Sequence, residues 1–116
     1  MTYRIFEVPE FHEFIDVLGV APEPVDEHGA GRLAFEISGE ILMATFDPLG
    51  RSFHCRWSRD SVVLVEIFRE GAVSLQLRSS GPENYIAVDF ETDSEQGRLE
   101  LKVSPAFALR DQLLWR

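Results

Sequence analysis

Only one cysteine, Cys55, occurs in the 116 residues, which excludes an intrachain disulfide and makes a reducing compartment the expected setting. Lysine is almost as scarce: Lys102 stands beside ten arginines, and 20 acids against 11 bases give a net charge of −9. Such a chain repels a phosphate backbone, so direct nucleic-acid binding is not expected. No uninterrupted apolar run exceeds four residues, Val62–Val65 being one, and the N-terminus (MTYRIFEVPE) lacks a basic segment followed by an apolar one. Neither a membrane span nor a secretion signal is read from it, and a cytoplasmic location is expected.

Chemistry-bearing motifs are also wanting. Gly29-Ala30-Gly31 is neither a phosphate loop nor a dinucleotide fingerprint, and it precedes a strand where a helix would be required. His12, His28 and His54 lie far apart, and none forms a ligand pair with Cys55. Glu23, Asp26, Glu27 and His28 crowd one loop without a recognised metal spacing. Acids alternate from Asp89 to Glu95 like the start of a calcium loop, yet Ser94 stands where that loop needs glycine. No cofactor and no metal are expected. His54 and Arg56 flank Cys55 and would lower a thiol pKa, but strand alternation turns them to the opposite face, so Cys55 reads as buried and inert.

What is present describes one globular domain over residues 1–116, with 45% apolar and 27% charged residues. A chain this long buries roughly two thirds of its unfolded surface, enough for a core without staples. Its charge is unevenly spread. Residues 1–50 hold ten acids against two bases, whereas residues 51–116 hold ten acids against nine bases. The excess falls on a predicted N-terminal helix and the loop behind it, where Glu10, Glu13, Asp16, Glu23, Asp26 and Glu27 form a candidate surface for a basic protein partner. The same excess would also serve plain solubility.

Residues 2–8 alternate as an edge strand. Pro9 then opens a helix with Phe11, Phe14, Ile15 and Leu18 at helical spacing and Gly19 at its end. Residues 20–31 read as a loop. From Arg32 the pattern is β-like, and Ile37-Ser38-Gly39, Pro48-Leu49-Gly50 and Arg69-Glu70-Gly71 each suit a three-residue hairpin loop with glycine third. Arg59-Asp60-Ser61 makes a fourth. These loops set Leu33 opposite Met43, Met43 opposite Cys55, Cys55 opposite Val65 and Ile67 opposite Val73. Strands at 85–91 and 98–104 follow, joined by an acidic turn, and Ser104-Pro105 reads as the start of a helix over 106–115. The expected fold is mainly β (α+β): a single antiparallel meander of about seven to eight strands, strongly curved or closed into a barrel, with short N- and C-terminal helices.

The same register places Arg32, Ala44, His54, Glu66 and Ser74 in a row on the opposite face, with Arg56, Gln76 and Arg78 beside it. His54 and Glu66 form an acid–base pair. A Ser-His-acid triad is excluded, because Glu66 lies between His54 and Ser74 and the imidazole must be central. A cross-strand charge pair on an exposed sheet accounts for the same residues. Leu42, Phe46, Val62, Leu64 and Phe68 point the same way and require cover from the chain, a second subunit or a ligand.

Three functions are compatible with these features. The first is a non-catalytic protein-binding domain, of the class of small acidic bacterial inhibitors or immunity-type proteins that engage a basic partner. The second is a small-ligand-binding barrel or modest enzyme with His54, Arg56, Glu66 and Gln76 as polar anchors. The third is a structural homodimer subunit.

Overall fold

A computed structural model describes residues 5–115. Among them one helix, α1 (Phe11–Leu18), precedes nine strands: β1 (Glu23–Pro24), β2 (Gly31–Ile37), β3 (Glu40–Asp47), β4 (Ser52–Arg59), β5 (Val62–Glu70), β6 (Ala72–Ser80), β7 (Glu83–Glu91), β8 (Glu95–Ser104) and β9 (Ala108–Trp115). All strand pairs are antiparallel and sequential, but they form two sheets, β1–β5 and β6–β9. Leu33, Phe46 and Phe53 of the first sheet share a buried cluster with Leu75, Val88 and Leu101 of the second. The expectation of a single curved or closed meander is corrected accordingly.

The break falls at Gly71. Arg69-Glu70-Gly71 is no hairpin loop, and Ile67 does not face Val73. Gly71 adopts φ +87°, and a Cβ there would meet Thr92 Cγ2 at 2.9 Å. A side chain is disfavoured on both counts. The crossing is fastened by its backbone: Arg51 O accepts from Gly71 N–H and Ala72 N–H, both at 3.0 Å, while Glu91 N–H donates to Gly71 O at 2.9 Å. The chain thus passes from one sheet to the other within a single residue.

The first sheet shows how loop length selects the buried face. Ser38-Gly39 and Asp60-Ser61 are two-residue turns with φ positive at both positions, the backbone that matches strand twist in tight hairpins. The β3–β4 loop has four residues, since Asp47 pairs with Ser52. Three-residue loops were expected at all three places. In consequence Leu33 faces Ala44, and Ala44 faces Cys55. β2 and β4 keep their expected mutual alignment, and β3 alone slides by one residue. An odd slip reverses a strand's faces. Leu42, Ala44 and Phe46 are therefore core, and Ile41 is exposed. Between β4 and β5 a bulge near Trp57 and Ser58 brings the slip to two, His54 facing Phe68. An even slip leaves faces unchanged, so Val65 and Ile67 stay on the expected side.

α1 forms where expected. The Glu13 carboxylate accepts from Glu10 N–H at 2.7 Å, and Gly19 closes the helix at φ 74° with its N–H on Ile15 O. Phe14 stacks on Phe46 with centroids 5.3 Å apart and planes 3° from parallel, and Phe11 meets both rings edge-on. The N-terminal strand is reduced to one parallel bridge, Glu7 with Ser74. Residues 2–4 of that expected strand lie outside the described residues.

The expected C-terminal helix is a strand. β9 pairs along β8, Leu101 with Leu109 and Gly97 with Leu113, after a bend at the cis Ser104–Pro105 peptide. A spacing of four between Leu109 and Leu113 serves a helix, but it is also an even number and serves a strand. The open edge of β8 decides it, because a strand there satisfies a row of backbone groups that a helix would leave unpaired.

Candidate partner-binding surfaces

The acidic residues singled out in the sequence divide by what holds them. Glu10 and Glu13 belong to the helix start. Asp26 shapes its loop, Oδ1 accepting from His28 N–H at 2.8 Å and Ala30 N–H at 3.1 Å, and these bonds hold its carboxyl below the ordinary range. Glu23 approaches Arg32 at 3.4 Å with both side chains largely in solvent, a pair that contributes little. Asp16 and Glu27 are exposed and form no ion pair among the described residues. Capping and turn-forming roles use the side-chain oxygen as an acceptor and not the charge itself, and composition alone does not reveal them.

Elsewhere the charges are consumed in pairs: Arg59 with Glu40, Arg69 with Asp111, Arg98 with Asp89, Lys102 with Glu83. Three of these pairs lie within residues 51–116, where ten acids and nine bases nearly balance. The N-terminal acids have no comparable supply of bases, so the field of the molecule is set by residues 1–50.

The residues proposed as ligand anchors do not converge. His54 Nε2 lies 2.8 Å from Glu66 Oε2, with side chains 34% and 49% exposed, a diagonal contact in which Arg56 is Glu66's direct partner. Arg56 Nη2 reaches Met43 Sδ at 3.8 Å. Gln76 lies in the other sheet, where it donates to Ser74 Oγ and Asp89 Oδ2 and accepts from Arg78. The barrel expected to enclose these four is absent, because β5 and β6 belong to different sheets. No group of three or more His, Cys, Asp or Glu among the described residues could hold a metal. Cys55 is 1% exposed, and burial pushes its thiol up to about 11.

Of the five residues expected to need cover, Leu42 and Phe46 are interior, whereas Val62, Leu64 and Phe68 on β5 are 61%, 45% and 63% exposed. The contact that sequence reasoning missed is at the other end of β5. Arg69 makes a two-pronged bond to Asp111 of β9, at 2.7 and 2.6 Å, with its guanidinium 5.1 Å from the centre of the Phe90 ring. It joins the two sheets at their edges. The residues are 42 positions apart, and Asp111 was assigned to a helix, so no local signal links them.

This clip has a pH signature. The hydrogen bond and charge of Arg69 hold the Asp111 carboxyl below its ordinary range, against an opposing effect of burial. A depressed folded-state pKa contributes stability above the unfolded value of about 3.9 that is lost as pH falls through the folded value. Asp111→Asn is expected to lower stability at neutral pH by about 1–3 kcal/mol and to flatten the decline below about pH 4. Urea unfolding from about pH 2 to 7 reads both effects, and an acid limb identical to that of the unmodified chain would contradict them.

No helix among the described residues is long and apolar enough to cross a membrane. No family model matches the chain, and no curated protein matches it. Among solved structures, its fold is similar to a chain of a contact-dependent growth inhibition toxin–immunity protein complex from Klebsiella pneumoniae 342. The likeness has a TM-score of 0.84 and covers 97% of this chain and 100% of that one at 12% identity. At that identity the likeness is one of fold.

Proposed function

We propose that this chain is the inhibitory half of a toxin–immunity pair, a non-catalytic bacterial protein that neutralises a basic toxin by binding it. The observation that carries the reading is the likeness, over 97% of this chain and 100% of the other, to a component of such a complex. That complex holds both a toxin and its antidote, and two features of this chain favour the antidote. An enzymatic toxin needs a reactive constellation, whereas Glu13 serves a helix cap, Asp26 a turn, and Arg69, Asp111, Arg98 and Asp89 charge pairs, and Cys55 is buried. The net charge of −9, concentrated in residues 1–50, suits capture of a basic enzyme that would otherwise reach an acidic substrate.

In this reading residues 1–50 provide the attractive surface through Glu10, Glu13, Asp16, Glu23, Asp26 and Glu27. The 116 residues act as one domain in the cytoplasm, without a cofactor. The test is co-expression with the protein encoded by the adjoining gene, as the candidate toxin. Growth is expected to be restored, and light scattering to give a one-to-one complex. Unrelieved toxicity together with two separately eluting proteins would remove the reading.

A further inference from the structure

We infer that the free edge of β5 is a docking edge, on which an extended segment of the toxin adds as a further strand, carrying alternate apolar side chains between basic residues. The inference rests on the inhibitory reading and concerns how the partner is held.

Two sheets have four edges, and the other three are covered in part or carry charge among the described residues. β1, with Pro24 as one of its two residues, covers β2 at Gly31 and Arg32. β6 carries the bridge from Glu7, with Glu7 N–H on Val73 O and Leu75 N–H on Glu7 O. β9 sets the exposed Arg110, Asp111 and Gln112 in its middle. β5 is nine residues long, pairs among the described residues only with β4, and contains neither proline nor lysine. Between Asp60 and Arg69 its only charge is Glu66. Sheet edges of this length are normally blunted, because unpaired backbone groups recruit strands. An edge that is long, apolar and exposed is a site for strand addition, with backbone bonds giving affinity and alternate side chains giving specificity.

The charges around the stripe select its occupant. Exposed carboxylates bound it at Asp60 and Glu70, with Glu66 inside. Arg59 and Arg69 beside it are engaged by Glu40 and Asp111, while His54 and Arg56 of β4 face Glu66, which leaves Asp60 and Glu70 as the carboxylates open to a partner's bases. A second copy would bring the same carboxylates and another −9 to the contact. A strand with basic flanks meets opposite charge at both ends. The Arg69–Asp111 clip fixes one end of β5 to β9, so the edge is held in place before the partner arrives.

The experiment uses the candidate toxin of the co-expression test, inactivated, with the unmodified chain and with Leu64→Arg and Phe68→Arg. Both positions are exposed, and circular dichroism checks that the fold is kept. Each variant is expected to bind at least about tenfold more weakly through faster dissociation. Backbone amides within 62–68 are expected to gain hydrogen-exchange protection in the complex. Unchanged affinity with unchanged exchange across β5 would overturn the inference and leave the inhibitory reading standing. Dimerisation of the chain alone that Phe68→Arg abolishes would also overturn it, since the edge would then belong to a second copy. Absence of any complex with the unmodified chain would remove the inference and the inhibitory reading together.

Discussion

Replacing Phe46 with alanine is expected to cost the fold about 3–5 kcal/mol, the range for removing a fully buried aromatic ring. Phe46 is 0% exposed. Its ring stacks on Phe14, meets Phe11 edge-on and presses on Gly31, where a Cβ would lie 2.5 Å from Phe46 Cζ. Backbone of β2, side chain of β3 and the apolar side of α1 thus converge on one ring. The cavity left by alanine cannot be closed from the Gly31 side, because no side chain is there to relax into it. Against a typical stability of about 5–15 kcal/mol the loss is about a fifth or more. Urea unfolding should show a lowered midpoint with an unchanged slope. A loss under about 1 kcal/mol would mean that α1 does not seat on this ring.

Phe46 also shows why part of the fold could be read from sequence and part could not. β4 alternates cleanly, Phe53, Cys55 and Trp57 against His54, Arg56 and Ser58, so its faces are legible whatever its neighbours do. β3 offers Ile41 and Met43 on one parity and Leu42, Ala44 and Phe46 on the other. With apolar residues on both sides, only the loops could decide, and Gly39 suits the second place of a two-residue turn as well as the third place of a longer one. His54 and Glu66 meet as expected for a related reason: their strands slipped by an even number. Gln76 does not join them, because the change of sheet at Gly71 depends on backbone bonds from Arg51 and Glu91 that no local pattern announces. The acidity of the N-terminal segment was plain from counting. Which of its acids cap, which turn the chain and which are free required geometry.

That division among the acids makes a clean charge test possible, and its expected effect on binding is large. Asp16→Lys, Glu23→Lys and Glu27→Lys together leave Glu10, Glu13 and Asp26 to their structural roles and change the net charge from −9 to −3, two units at each of three positions. Lysine at position 16 stands in the last turn of α1, where the helix dipole favours a cation, and the loss of the exposed Glu23–Arg32 contact matters little. Folding should therefore be unaffected. If residues 1–50 draw in a basic toxin by their field, association at about 10 mM salt, where the Debye length is about 30 Å, should slow by about 100-fold. The deficit should shrink to a few-fold near 1 M salt, with dissociation altered by no more than about threefold. Stopped-flow binding at several ionic strengths reads these quantities. β5 variants should do the reverse, altering dissociation at every salt concentration, so the two surfaces are separable by kinetics. Unchanged association at low salt would mean that the acids of residues 1–50 are only a solvated face. A normal association rate with accelerated dissociation would instead make Asp16, Glu23 and Glu27 direct contacts of the partner, and the steering role would have to be given up.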